Sequence, residues 1–163
     1  MTAERGQGIY SVAHALKERT STLTLFIEND LRGGNNMPAR RPEGLDRLFS
    51  EALNAGNLDA LVALYESQAT LTPEPGKVVT GSKAIREALG AFLAGKPRIT
   101  LTNKILAQTG DIALVTAKWE LSGTGADGKP FKMSGHSAEV CRRQPNGNWL
   151  FVIDTPWGLE WAA

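Results

Sequence analysis

Glu139 and Asp154 are the carboxylates whose spacing could do chemistry in this sequence. They sit on segments that alternate with period two, approximately 98–108, 112–122, 131–143 and 149–155, which predicts four long strands. The joints Thr109-Gly110, Asp127-Gly128 and Asn146-Gly147 are strong hairpin signals, because both central residues of such a turn take positive φ. With two-residue loops throughout, Asn103 faces Thr116, Thr116 faces Glu139, and Glu139 faces Asp154. The flanking row, Ile105, Leu114, Cys141 and Val152, is apolar. Two carboxylates facing each other there cannot both ionise cheaply, so at least one is expected to titrate high and to serve in proton transfer. The competing expectation is a neutralised pair, with Lys118 in the next row or Arg142 as the cation. A slip of one residue at any turn would send a whole strand's side chains to the other face.

The other reactive side chains suggest less. His136, in a row with Trp119 and Trp157, reads as a packed histidine at an interface rather than a catalytic one. His14 is the only other histidine, which excludes a histidine-rich metal site, and no metal or cofactor is expected. Cys141 reads as a small core hydrophobe. Gly6-Gln7-Gly8 precedes no strand–helix unit, so it is no phosphate loop.

Helices must cover one side of such a sheet. Leu45, Leu48, Phe49, Ala52 and Leu53 form a helical stripe ended by Gly56. Asn57 caps a second helix with Leu58, Leu61, Val62 and Tyr65 on its apolar face. Thr70 to Thr72 reads as a short strand before the loop Pro73-Glu74-Pro75-Gly76. Ser82 caps a third helix, striped by Ile85, Ala88, Leu89, Phe92 and Leu93 and ended by Gly95 and Pro97. Helices followed by an antiparallel meander predict an α+β domain. The predicted sheet is apolar on both faces, so a homodimer is expected through the face with Trp119, His136, Val140, Ile153 and Trp157.

Composition sets the bounds. The chain has 163 residues, enough for one domain without disulfides, and its single cysteine excludes an internal one. Eighteen basic against seventeen acidic residues, spread along the chain, argue against a nucleic-acid footprint. No apolar run has the length of a membrane span or a signal peptide, which points to a cytoplasmic protein with no membrane partner. Residues 1–41 are expected to form a poorly ordered N-terminal extension, 42–158 the domain, and 159–163 a tail. The first 36 residues lack a sustained period and end in Gly33-Gly34-Asn35-Asn36; they read as a floppy extension or as sequence upstream of a natural start at Met37.

The run Leu53-Asn54-Ala55-Gly56-Asn57-Leu58-Asp59-Ala60-Leu61 with Tyr65, then Ala69-Thr70-Leu71 and Gly81, resembles the NTF2-like superfamily. The likeness is to its small bacterial members of ketosteroid isomerase, SnoaL-like and DUF4440 type. Ala138-Glu139-Val140, Asn146-Gly147-Asn148-Trp149 and Val152-Ile153-Asp154 complete the resemblance over residues 42–158. It implies a cone-shaped, curved antiparallel sheet wrapped around helices and an apolar pocket, a cystatin-like α+β barrel that is commonly dimeric. Of the isomerases' catalytic positions, the helix tyrosine falls on Phe49 and the base on Pro73, with Glu74 beside it as a substitute. The protonated acid falls on Glu139, and Tyr65 matches a supporting pocket tyrosine. The catalytic candidates are therefore Glu139, Asp154 and Glu74, and the ligand-binding candidates Phe49, Tyr65, Asn103, Thr116 and Lys118. Two functions fit: a cofactor-independent isomerase, cyclase or lyase of a small apolar substrate, or a noncatalytic ligand-binding or accessory dimer. An inward Glu74 favours the first.

Overall fold

A computed structural model describes residues 38–125 and 127–158; the expected extension before residue 38 and the tail 159–163 lie outside the described residues. Helix α1 (Gly44–Ala55) buries Leu45, Leu48, Ala52 and Leu53 and ends at Gly56, whose φ of 67° needs no Cβ. Helix α2 (Leu58–Val62) is capped by Asn57, whose side chain accepts from the Ala60 amide. Strands β1 (Tyr65–Glu74) and β2 (Lys77–Thr80) form a hairpin, and α3 (Ser82–Leu93) follows. The rest is β3 (Arg98–Thr109), β4 (Ile112–Thr124), β5 (Pro130–His136), β6 (Ala138–Arg143) and β7 (Trp149–Thr155). The domain packs from Ala39 onward: that residue is buried and its carbonyl accepts from the Trp149 amide. Among the described residues, no helix is long and apolar enough to cross a membrane.

The seven strands make one curled sheet in the order β2-β1-β7-β6-β4-β3, with β5 extending the pairing of β4. The fold is the expected α+β one, with one parallel pair: β1 runs alongside β7 and places Leu71 opposite Asp154. That pairing also corrects the second helix. Tyr65 opens a ten-residue strand rather than closing a helix, and the expected strand at 70–72 is its centre. Helix α2 has only five residues, too few to hold Tyr65 against the ladder on β7. Ser82 is the first residue of α3 rather than its cap, and its hydroxyl donates to the Ser67 carbonyl.

The expected register fails at two junctions and holds over only part of the third. The β3–β4 turn is centred on Gly110-Asp111, and a bulge follows between Ile105 and Ala107, so Asn103 pairs with Ala117. The β4–β5 connection spans residues 125–129, and Glu139 pairs with Val115. Strand β4 is thereby inverted: Val115, Ala117, Trp119 and Leu121 point inward, while Thr116 and Lys118 lie on the outer face. The expected long strand 131–143 divides at Ser137, where β5 passes into β6. Glu139 does pair with Asp154, because two departures cancel: the β6–β7 turn is one residue off, and a bulge in β7 at Val152 restores the phase. The same bulge turns Phe151 inward in place of Val152. The expected dimer face is also divided. Trp119 and Trp157 line the interior, whereas Ile153 stays on the outer surface, 45% exposed.

Candidate functional site

Helices α1 and α3 and the concave face of the sheet enclose a cavity of about 500 Å³. Phe49 and Phe151 meet edge to face on one wall, with ring centroids 6.4 Å apart. Trp119 and Trp157 form a second perpendicular pair at 5.6 Å. Both indole N–H groups are taken by backbone carbonyls, Trp119 Nε1 by Pro156 at 2.6 Å and Trp157 Nε1 by Pro73 at 3.3 Å. Each wall thus offers apolar and π surface to a ligand.

The polar end is built from three elements. Asp46, in the first turn of α1, joins Glu139 of β6 and Asp154 of β7 in the cavity lining. All three are buried, with 5%, 3% and 6% of their surface exposed. Asn103 on β3 donates to Asp46 Oδ2 at 2.8 Å and to the Glu43 carbonyl at 2.7 Å. Tyr65 donates its hydroxyl to Asp154 Oδ2 at 2.5 Å. Glu139 Oε2 is buried and has no partner among the described residues.

No ion pair joins these carboxyls to a described cation. Arg142, one expected neutraliser, pairs with Glu66 at 3.1 Å, and Lys118, the other, lies on the outer face. All three therefore hold protons more tightly than ordinary carboxyls. Burial, reinforced by the charges of Asp46 and Asp154, pushes Glu139 up to about 9. Burial raises Asp154 to about 7 against the lowering effect of the Tyr65 hydrogen bond. Burial raises Asp46 to about 6, with the Asn103 hydrogen bond working the other way. Burial and the neighbouring Asp154 push the Tyr65 phenol up, which keeps it a neutral donor. Burial likewise pushes the Cys141 thiol up and leaves it without nucleophilic character.

The expected residues are thus divided. Phe49, Glu74, Glu139 and Asp154 line the cavity, and Tyr65 stands behind Asp154. Asn103 reaches Asp46 instead of the cavity, and Thr116 donates its hydroxyl to the Ser137 carbonyl away from it. Glu74 sits at the mouth, its side chain 67% exposed and paired with Lys77 at 3.3 Å. Sequence reasoning passed over Asp46. The signal was available: residues 46, 49 and 53 lie on one helical stripe, so Asp46 shares a face with Phe49 and Leu53. No set of three or more His, Cys, Asp or Glu side chains among the described residues has a geometry that could hold a metal ion.

Solved structures share this architecture. A ketosteroid isomerase-like protein from Erwinia carotovora atroseptica SCRI1043 superposes with a TM-score of 0.61 at 19% identity, covering 69% of this chain and 88% of that one. An NTF2-like superfamily protein from Salmonella enterica gives 0.63 at 17% identity, over 71% and 86%. A cystatin-like protein of unknown function from Nostoc punctiforme gives 0.57 at 17%, over 69% and 84%. No functionally curated protein matches the chain. The model of the SnoaL-like domain matches residues 45–149, which takes in nearly all of α1, most of the cavity lining and two of the three buried carboxyls, Asp46 and Glu139. By that match the chain belongs to the SnoaL-like domain family.

Proposed function

We propose that this protein is a cofactor-independent acid–base enzyme that isomerises, or eliminates from, a small and largely apolar carbonyl compound. The observation that carries the reading is the set of three buried carboxyls of unequal proton affinity, none paired with a described cation, at one end of an apolar cavity. Near pH 7 Asp46 is the group most readily ionised and Glu139 the one most firmly protonated. An ionised base and a neutral acid side by side are what proton transfer next to a carbonyl requires. Asp46 takes a proton from the carbon beside the carbonyl, and the electron pair moves onto the carbonyl oxygen. Glu139 donates a hydrogen bond to that oxygen through Oε2, which has no partner among the described residues. The proton then returns from Asp46 at another carbon, or a leaving group departs with a proton from Glu139. A cavity of about 500 Å³ suits a ligand of one to three rings.

Glu74 is no part of this scheme, since it is solvated and paired with Lys77; Asp46 fills the role sought at that position. The outward Glu74 is also what favours the second reading, a protein that holds an apolar metabolite without turning it over. A panel of cyclic ketones and their β,γ-unsaturated forms, followed by deuterium wash-in and enone absorbance, separates the two. The enzyme reading expects at least one compound to react more than tenfold faster with the native protein than with the D46N/E139Q double variant. It is overturned if no compound does and native mass spectrometry finds the same metabolite held by both proteins purified from the original host.

A further inference from the structure

We infer that Asn103 is a positioning residue that orients the Asp46 carboxylate and holds it in its ionised form, an inference that rests on the role proposed for Asp46. The helix bearing Asp46 is latched to the edge strand β3 at both ends, each time by an asparagine. Near its C-terminus, Asn54 clasps the backbone of Ile99, accepting from its amide and donating to its carbonyl, both at 2.8 Å. At the other end Asn103 reaches from β3 to the Glu43 carbonyl and to Asp46 Oδ2. The two latches differ in one respect. Asn54 touches only backbone, whereas Asn103 divides its amide group between the helix entrance and a cavity carboxylate.

That second contact has a chemical consequence. A neutral donor placed on a carboxylate oxygen favours the ionised form, and the first turn of α1 adds the positive end of a helix dipole. The titratable groups facing Asp46 all work against ionisation or are neutral. Glu139 and Cys141 come from β6, Asp154 from β7, and Tyr65 from β1. Asn103 is therefore the side chain by which the fold keeps one of three mutually repelling carboxyls available as a base. It also engages one Asp46 oxygen and so fixes the plane in which the other can work.

The test compares the two latches by carbon NMR titration of the Asp46 carboxyl. In N103A, which removes the donor, and in N103D, which keeps the shape but exchanges the amide donor for a second carboxyl, the Asp46 midpoint should rise by about one to two pH units. The acid limb of the ketone-exchange rate should rise with it. In N54A the melting temperature should fall while the Asp46 midpoint stays in place. An Asp46 midpoint unmoved in N103A and N103D, or moved equally in N54A, overturns the positioning role. Failure of the Asp46 base itself reads differently, as full exchange activity in D46N with the N103A shift still present.

Discussion

Two sets of ionisable groups border the same cavity, and their difference explains why only one is suited to acid–base work. At the mouth, Glu74 and Lys77 on the β1–β2 hairpin are 67% and 59% exposed and neutralise each other. At the deep end, Asp46, Glu139 and Asp154 are buried together with no described cation among them. Water and a counter-charge stabilise the first carboxylate. The second set lacks both, and the free-energy cost of ionisation appears as retained protons.

The comparison is broken most severely by removing the base. Asp46→Asn should lower the ketone-exchange rate by about 10²–10⁴-fold with little change in fold, as read by rate and circular dichroism. Glu139→Leu should cost a similar factor. Glu139→Gln should cost less, because an amide N–H can still donate to the developing oxyanion.

Stability should also depend on pH in a direction set by the deep end. The folded pKa values of Asp46, Asp154 and Glu139 lie above those of unfolded carboxyls, so the folded state binds more protons between about pH 4 and 9. Their contribution is fully present below pH 4 and is lost as pH rises through the folded values. Thermal melts should therefore show native protein losing on the order of a few kcal/mol between pH 5 and pH 9. Glu139→Gln, which cannot ionise, should flatten that slope and melt above native protein at pH 9.

Tyr65→Phe sharpens the comparison more gently. It removes the donor that holds Asp154, so the Asp154 midpoint should rise, and chemical denaturation should show a loss of about 1–3 kcal/mol. The smallest effect belongs to the mouth. Lys77→Met together with Glu74→Gln should change stability by less than about 1 kcal/mol and leave exchange at the deep end intact.

How much of this could be read from the sequence depended on which interactions were local. The α1 stripe and its Gly56 stop were legible because helical period and a left-handed cap are properties of a short stretch. The hairpins were legible as hairpins, but their phase was not. Loop length at residues 125–129 and the bulge near Leu106 inverted β4, and with it Thr116, Lys118 and Trp119. The Glu139–Asp154 pairing came out right through a bulge at Val152 that no local signal announced. The parallel pairing of β1 with β7 joins residues more than eighty apart, beyond any periodicity argument. Asp46 was hidden differently, since an aspartate in the first turn of a helix is ordinary dipole chemistry until a cavity is known to lie beneath it.

The central claim is that the deep carboxyls keep protons that ordinary carboxyls release, and carbon NMR of their carboxyl groups measures it directly. Spectra of aspartate- and glutamate-labelled protein between pH 3 and 10, assigned with D46N, E139Q and D154N, would report all three midpoints. Glu139 should remain protonated at pH 7, with Asp46 the first of the three to ionise and none titrating below about 5. Three midpoints near 4 would mean a hydrated, unremarkable cluster and would contradict the account.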